Sequence, residues 1–232
     1  MITRAVTTRA VICPGHAVYL GGDVWADASW VLQAFQSGEP PFYVAHMKRA
    51  VELAAADPES LLIISGGQTR SEAGPKSEAQ GYWEVADALQ WFGHPEVRER
   101  ICLEEFSRDS FENLWFSIRR FQEYAGALPA YVTVAGWAFK RERFEFHRET
   151  IAWLAARFTY VGVNNPADLK AALTGEQRAL AEFQADPYGI GEALAKKRSQ
   201  RNPFHQRHPY GDGYNMLDPS SEVVTCSNDY QI

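Results

Sequence analysis

Four consecutive apolar residues, Leu61-Leu62-Ile63-Ile64, run into Ser65-Gly66-Gly67 and then into Gln68-Thr69-Arg70. An apolar run without alternation reads as a strand buried on both faces, which calls for a parallel sheet covered by helices on either side. The two glycines free the backbone and let a ligand come close. In an open α/β sheet such a loop lies at the carboxyl end of a strand, where ligands bind. An arginine placed there suits a carboxylate or a phosphate, because its planar fork makes two parallel hydrogen bonds.

The same order of strand, polar junction and helix recurs along the chain. Ala10-Val11-Ile12-Cys13 ends at Pro14-Gly15-His16, and Ile101-Cys102-Leu103 ends at a run from Glu104 to Asn113 far denser in polar groups than helix capping requires. Tyr131-Val132-Thr133-Val134-Ala135 leads to Lys140, Arg143 and His147, and Tyr160-Val161-Gly162-Val163 forms a further strand. Helical patterns fall at 42–55, at 77–92 with Glu78 in the first turn, beyond Ser110, and from Lys140 to near Phe158; helices are also expected at 167–173 and 175–185, and at 25–35. Strand–helix–strand units in a parallel sheet are right-handed. The expected architecture is an α/β Rossmann-like three-layer sandwich with a mostly parallel sheet of about five strands. Residues 1–185 would form that domain. From Asp186 the composition shifts toward a basic run, Lys196-Lys197-Arg198-Ser199-Gln200-Arg201, and an aromatic segment, so 186–232 is expected as an extension packing partly on the domain.

At 232 residues, with 46% hydrophobic and 22% charged residues, the chain suffices for one domain with a full core. A net charge of −6 argues against nucleic acid as a partner. No apolar stretch approaches the roughly 20 residues of a membrane span, and Met1 to Arg9 lacks the apolar segment of a secretory signal. A cytoplasmic location follows as an expectation, with Cys13, Cys102 and Cys226 as reduced thiols. Oligomeric state stays open.

Three ordered motifs carry a resemblance: Ser65-Gly66-Gly67 after a strand, Ser77-Glu78-Ala79 opening a helix, and Glu104-x-x-Ser107-x-Asp109-Ser110-x-Glu112-Asn113. With them the chain resembles the YdcF-like family, the DUF218 domain, whose bacterial members include the SanA and ElyC envelope proteins. The fuller forms, Gln68-Thr69-Arg70, Arg108-Asp109-Ser110-Phe111-Glu112-Asn113 and Phe139-Lys140-x-x-Arg143-Phe144, look most like its cytosolic fungal branch, over roughly residues 9 to 165. No membrane anchor of the SanA kind is present, and Asp109 stands where bacterial members usually have Asn. The resemblance implies a Rossmann-like fold and, from one bacterial member, S-adenosylmethionine as a conceivable cofactor, but no settled reaction.

The leading expectation is an enzyme, a hydrolase or transferase, acting on a small anionic or nucleotide-like metabolite. His16, Glu104 and Asp109 are its candidate proton-handling groups, since burial raises a carboxylate's pKa and lowers an imidazole's. Gly66, Gly67, Gln68, Thr69, Arg70, Glu78, Ser107, Ser110, Glu112, Asn113, Lys140, Arg143 and His147 are the candidate binding residues. A non-catalytic binder of a nucleotide or of S-adenosylmethionine needs the same crevice; against a methyltransferase, Pro14-Gly15-His16 is no Gly-x-Gly-x-Gly loop. Metal-assisted hydrolysis finds residues of the right kind but no ligand spacing, so no metal is assigned. Serine hydrolysis lacks its nucleophile elbow.

Overall fold

The computed structural model describes residues 7–211. Five strands, β1 (Arg9–Pro14), β4 (Ser60–Ser65), β5 (Ile101–Glu104), β6 (Tyr131–Trp137) and β7 (Phe158–Asn164), form one sheet in the order β5-β4-β1-β6-β7, and every pairing is parallel. Side chains alternate across β1 and β4 to feed two cores. Val11, Cys13, Leu62 and Ile64 pack beneath α1 (Pro40–Ala55) and α2 (Glu78–Ala88). Ala10, Ile12, Leu61 and Ile63 pack against α3 (Ser110–Ala125) and α4 (Arg141–Thr150). The chain is therefore a three-layer Rossmann-like α/β sandwich. The apolar runs lack alternation because helices cover both faces. Cys13 and Cys102 are buried free thiols; Cys226 lies outside the described residues.

The strand order reverses between β1 and β6, which opens a crevice at their carboxyl ends. His16 follows β1 there and Lys140 follows β6. Among the described residues no helix is long and apolar enough to cross a membrane.

Several local expectations need correction. The helix expected at 25–35 is a small excursion instead, in which β3 (Trp30–Val31) pairs antiparallel with β2 (Val18–Tyr19). Long-range anchors override helical periodicity here: Trp30 is buried against Tyr19, Tyr43 and Tyr82, and its Nε1 donates to the carbonyl of Val24. The helix at 77–92 stops at Ala88, because Gln90, Trp91 and Phe92 adopt left-handed conformations that bury the Trp91 indole. The helix expected to reach Phe158 ends at Thr150; Ala152 turns left-handed, and Phe158 already belongs to β7 beside Val132. The two short helices at 167–185 are one, α5 (Leu169–Ala185), since a single interior glycine, Gly175, costs only about 1 kcal/mol and does not break it.

Beyond Asp186 the chain forms α6 (Glu192–Gln200) and lies along α3: the Tyr188 ring meets Phe111, and the rings of His208 and Tyr210 lie 4.6 and 4.9 Å from Phe116. That contact is with the helix layer beside the edge strand β5. Residues 212–232 of the extension lie outside the described part.

Candidate functional site

Glu78 sits in a cradle made by glycines. A Cβ on Gly15 would stand 2.7 Å from the Glu78 Cβ, and one on Gly66 2.6 Å, so any larger residue at either position collides with this side chain. The cradle is rigid. Ser77 caps α2 by accepting from Gln80 N, Glu78 N donates to the carbonyl of Gly67 at 3.0 Å, and Gly15 N donates to that of Ser65 at 2.6 Å. Thr69 Oγ1 donates to Glu78 Oε1 at 2.5 Å. Burial raises the Glu78 carboxyl above its ordinary range, against the lowering pull of the Thr69 hydrogen bond and of Arg70, Arg201 and Lys140.

Two cations face this carboxyl without an acid of their own. Among the described residues neither Arg70 nor Lys140 forms an ion pair, and Arg70 Nε has no hydrogen-bond partner. With its amide oxygen turned toward Arg70, Gln33 accepts from Nη1 and Nη2 of the guanidinium. Lys140 reaches across the Phe139 ring; burial and the nearby Arg143 push its ammonium down to about 8. His16 packs among the rings of Tyr43, His46 and Trp137 with Nε2 unpartnered, and burial, helped by Lys140, keeps it neutral.

The junction after β5 is as polar, yet its groups satisfy one another. Glu104 Oε1 accepts from the backbone N–H groups of Phe106 and Ser107, at 2.7 and 3.1 Å, and Oε2 lies 2.6 Å from Ser65 Oγ. Ser65 Oγ is also 2.8 Å from Asn113 Oδ1, which accepts from Ser107 Oγ at 2.7 Å. Full burial pushes Glu104 up to about 7. Asp109 caps α3 by accepting from Glu112 N, and its second oxygen holds Arg198 Nε of α6 at 2.6 Å. Burial alone would raise the Asp109 carboxyl; the Arg198 charge holds it below the usual range instead. Glu112 is clamped by Arg108 through Nε and Nη2, with Arg198 at 3.2 Å. Gly189 has φ +68, and a Cβ there would overlap the Arg198 guanidinium, so the chain leaves a channel for this arginine.

Arg143 is likewise taken up. It forms a two-pronged pair with Glu176 of α5, at 2.8 and 2.7 Å, and its Nη1 donates to Ser110 Oγ at 2.7 Å. Ser110 Oγ in turn lies 2.7 Å from His147 Nε2, and burial holds His147 neutral, down to about 3.

A cavity of about 910 Å³ lies over these carboxyl ends. Of the expected residues it receives His16, Thr69, Arg70, Glu78, Lys140 and Arg143, and on its far wall Ser107, Asp109, Ser110 and Asn113. It does not receive Gly66, Gly67, Gln68, Glu104, Glu112 or His147. Gly66 and Gly67 lie beneath Glu78 and the loop after β5, and Gln68 donates to the carbonyl of Pro75. Glu104, Glu112 and His147 are spent on the internal bonds just described. Expected to handle protons, Glu104 and Asp109 instead tie loop and helix together. Sequence reasoning missed Gln33, Phe35 and Glu39, because their segment was read as helix and break, and Arg201, which sits unmarked in a basic run. The small face of α5 at Ala171 and Gly175, the opposite wall, gave no signal.

The chain is 27% identical over 277 residues to a protein of Saccharomyces cerevisiae described as "Uncharacterized protein YOR238W", covering 94% of this chain and 91% of that one. No family model matches the chain. No solved structure matches it. The S-adenosylmethionine that the resemblance implied fits these residues poorly: the buried acid of the cavity, Glu78, already lies in the field of the cations Arg70 and Lys140, which disfavour a sulfonium beside it, and no chemical step is derived through it.

Proposed function

We propose that this chain is an enzyme that binds a small anionic, nucleotide-like metabolite at the carboxyl edge of its sheet and acts on it by hydrolysis or group transfer. One observation carries the reading: two cations without acid partners, Arg70 and Lys140, share a cavity at the strand-order reversal with one buried carboxyl, Glu78. Unpaired charge near a protein interior is costly, and an anionic ligand offsets it. The volume lies at the upper end for small-molecule sites. Phe35, 74% exposed and lining the same cavity, offers a face for a flat ring.

Glu78 and Lys140 have affinities for protons displaced toward each other, upward for the carboxyl and downward for the ammonium. Such a pair divides acid and base roles near neutral pH. In this reading Glu78 takes the proton of the attacking water or hydroxyl. Lys140 holds the anionic centre and returns a proton to the departing oxygen. Neutral His16 orients the ligand through its unpartnered nitrogen. Membership of the YdcF-like family belongs to the same proposal, supported by the meeting of its three motifs around or beneath this cavity.

Native mass spectrometry of the purified protein tests it. Expected is a bound anion that is lost in Arg70→Ala and converted to product by the wild type. A species recovered unchanged after long incubation would make the chain a binder; retention of the species in Arg70→Ala would move the site elsewhere.

A further inference from the structure

A third cation joins Arg70 and Lys140 in acting on Glu78, and it comes from the C-terminal extension. Arg201 follows α6 and lines the same cavity as Arg70, Lys140 and Glu78. Its Nη1 donates to the carbonyl of Arg108 at 2.9 Å, which fixes the head group against the loop after β5. Among the described residues it has no carboxylate partner, unlike its neighbours Lys197, held by Glu182, and Arg198, held by Asp109 and Glu112. Arg70, Arg201 and Lys140 line one cavity with Glu78, and the field of each lowers that carboxyl's pKa, although they stem from the loop after β4, the end of α6 and the junction after β6.

The basic run of the extension therefore has two jobs. Arg198 fastens α6 into the core of the molecule, buried at 5% exposure and threaded past Gly189. That fastening presents Arg201 to the cavity three residues later, with little of the ordering loss a mobile side chain would suffer on binding.

We infer that Arg201 binds the ligand together with Arg70 and Lys140, and that the ligand's charged end is a multiply charged oxyanion of the phosphate type, a phosphate ester or diphosphate, not a single carboxylate. Among the described residues none of Arg70, Lys140 and Arg201 forms an ion pair, so a phosphate-type group with three or more anionic oxygens can engage all three, where a single carboxylate offers two oxygens. Two of the three are arginines, whose forks fit phosphate oxygens in pairs. This inference rests on the anion-binding reading above and adds to it the class of anion and the part played by the extension.

Titration calorimetry on the full chain, with inorganic diphosphate, inorganic phosphate and acetate as probes, tests both parts. Wild type should bind diphosphate most tightly and acetate at least tenfold more weakly. Arg201→Ala should weaken diphosphate binding at least tenfold at an unchanged melting temperature, while Arg201→Lys recovers part of it. Arg98→Ala, which removes a cation paired with Asp87 on the far end of α2, should bind as wild type does. Diphosphate binding in Arg201→Ala equal to wild type overturns the role of Arg201. Acetate binding as tight as diphosphate overturns the class of anion. No binding of any probe by wild type, with every variant folded, overturns the anion reading itself, an outcome distinct from both.

Discussion

The junction after β4 and the junction after β5 are equally crowded with polar side chains, but they differ in what those side chains have found. Asp109, Glu112, Arg108 and Arg198 saturate one another within 3.2 Å, and Glu104 spends both oxygens on Ser65 and two backbone N–H groups. Across the crevice, Glu78 shares only one oxygen with Thr69, while among the described residues Arg70 and Lys140 form no ion pair. Density of charge therefore does not mark a site. Residual, unmatched charge facing a cavity does, because a protein that left it without a ligand would bear the desolvation penalty for no gain.

Glu78→Gln tests the open side and should have the largest effect. The amide keeps the acceptor for Thr69 and the fit between Gly15 and Gly66, but it cannot take a proton. Turnover of the metabolite identified by mass spectrometry should fall about 10²- to 10⁴-fold with the melting temperature preserved. Undiminished turnover would mean that Glu78 is as structural as Glu104.

Arg198→Met tests the saturated side. Removing the cation leaves two buried carboxylates with Arg108 alone, and breaking a buried pair costs about 3–5 kcal/mol. Urea unfolding should show that loss, and Asp109→Asn in the same background should recover part of it. A loss below about 1 kcal/mol would place the cluster with exposed ion pairs and erase the contrast.

The sheet was legible because doubly buried strands announce themselves as unbroken apolar runs, and parallel topology then obliges their carboxyl-end loops to meet. His16, Arg70 and Lys140 could be gathered on that ground alone. Pairing was not legible. Arg143 finds Glu176 across 33 positions, and Arg198 finds Asp109 across 89, so a sequence shows a free arginine where the fold has a spent one. Glu104 and Asp109 looked reactive for the same reason. Arg201 looked like one more residue of a solvated basic run. The loop bearing Gln33 and Phe35 was hidden by the opposite fault, a helical pattern overruled by the burial of Trp30.

A third substitution asks how tightly the open side is built. Gly66→Ala places a methyl 2.6 Å from the Glu78 Cβ and 2.8 Å from its Oε2, so either the side chain or the backbone must shift. Overpacking of this kind costs about 1–3 kcal/mol. The displacement should also weaken ligand binding, whereas Gly175→Ala, with open space around its Cβ, should leave stability unchanged or improve it. Equal melting temperatures for Gly66→Ala and wild type would show that Glu78 has room the cradle denies it.

The smallest effect expected is the most specific to the saturated side, because it depends on pH. Ser65 Oγ carries one hydrogen and lies beside both Glu104 Oε2 and Asn113 Oδ1; a charged Glu104 takes that hydrogen and leaves Asn113 Oδ1 to the Ser107 hydroxyl alone. A protonated Glu104 donates to Ser65, Ser65 donates to Asn113, and all are satisfied. Burial has raised this carboxyl from an ordinary 4.5 to about 7. The folded chain thus holds the proton more firmly than the unfolded one, and stability declines as pH rises from about 4.5 to about 7, then levels off. Glu104→Gln imitates the protonated form, with its amide N–H donating to Ser65 and its oxygen accepting from Phe106 and Ser107. Relative to wild type, this variant should gain stability between pH 5 and pH 8 when melting temperatures are compared across that range. A constant difference between the two proteins would show that Glu104 does not titrate there, and that its network is satisfied while charged.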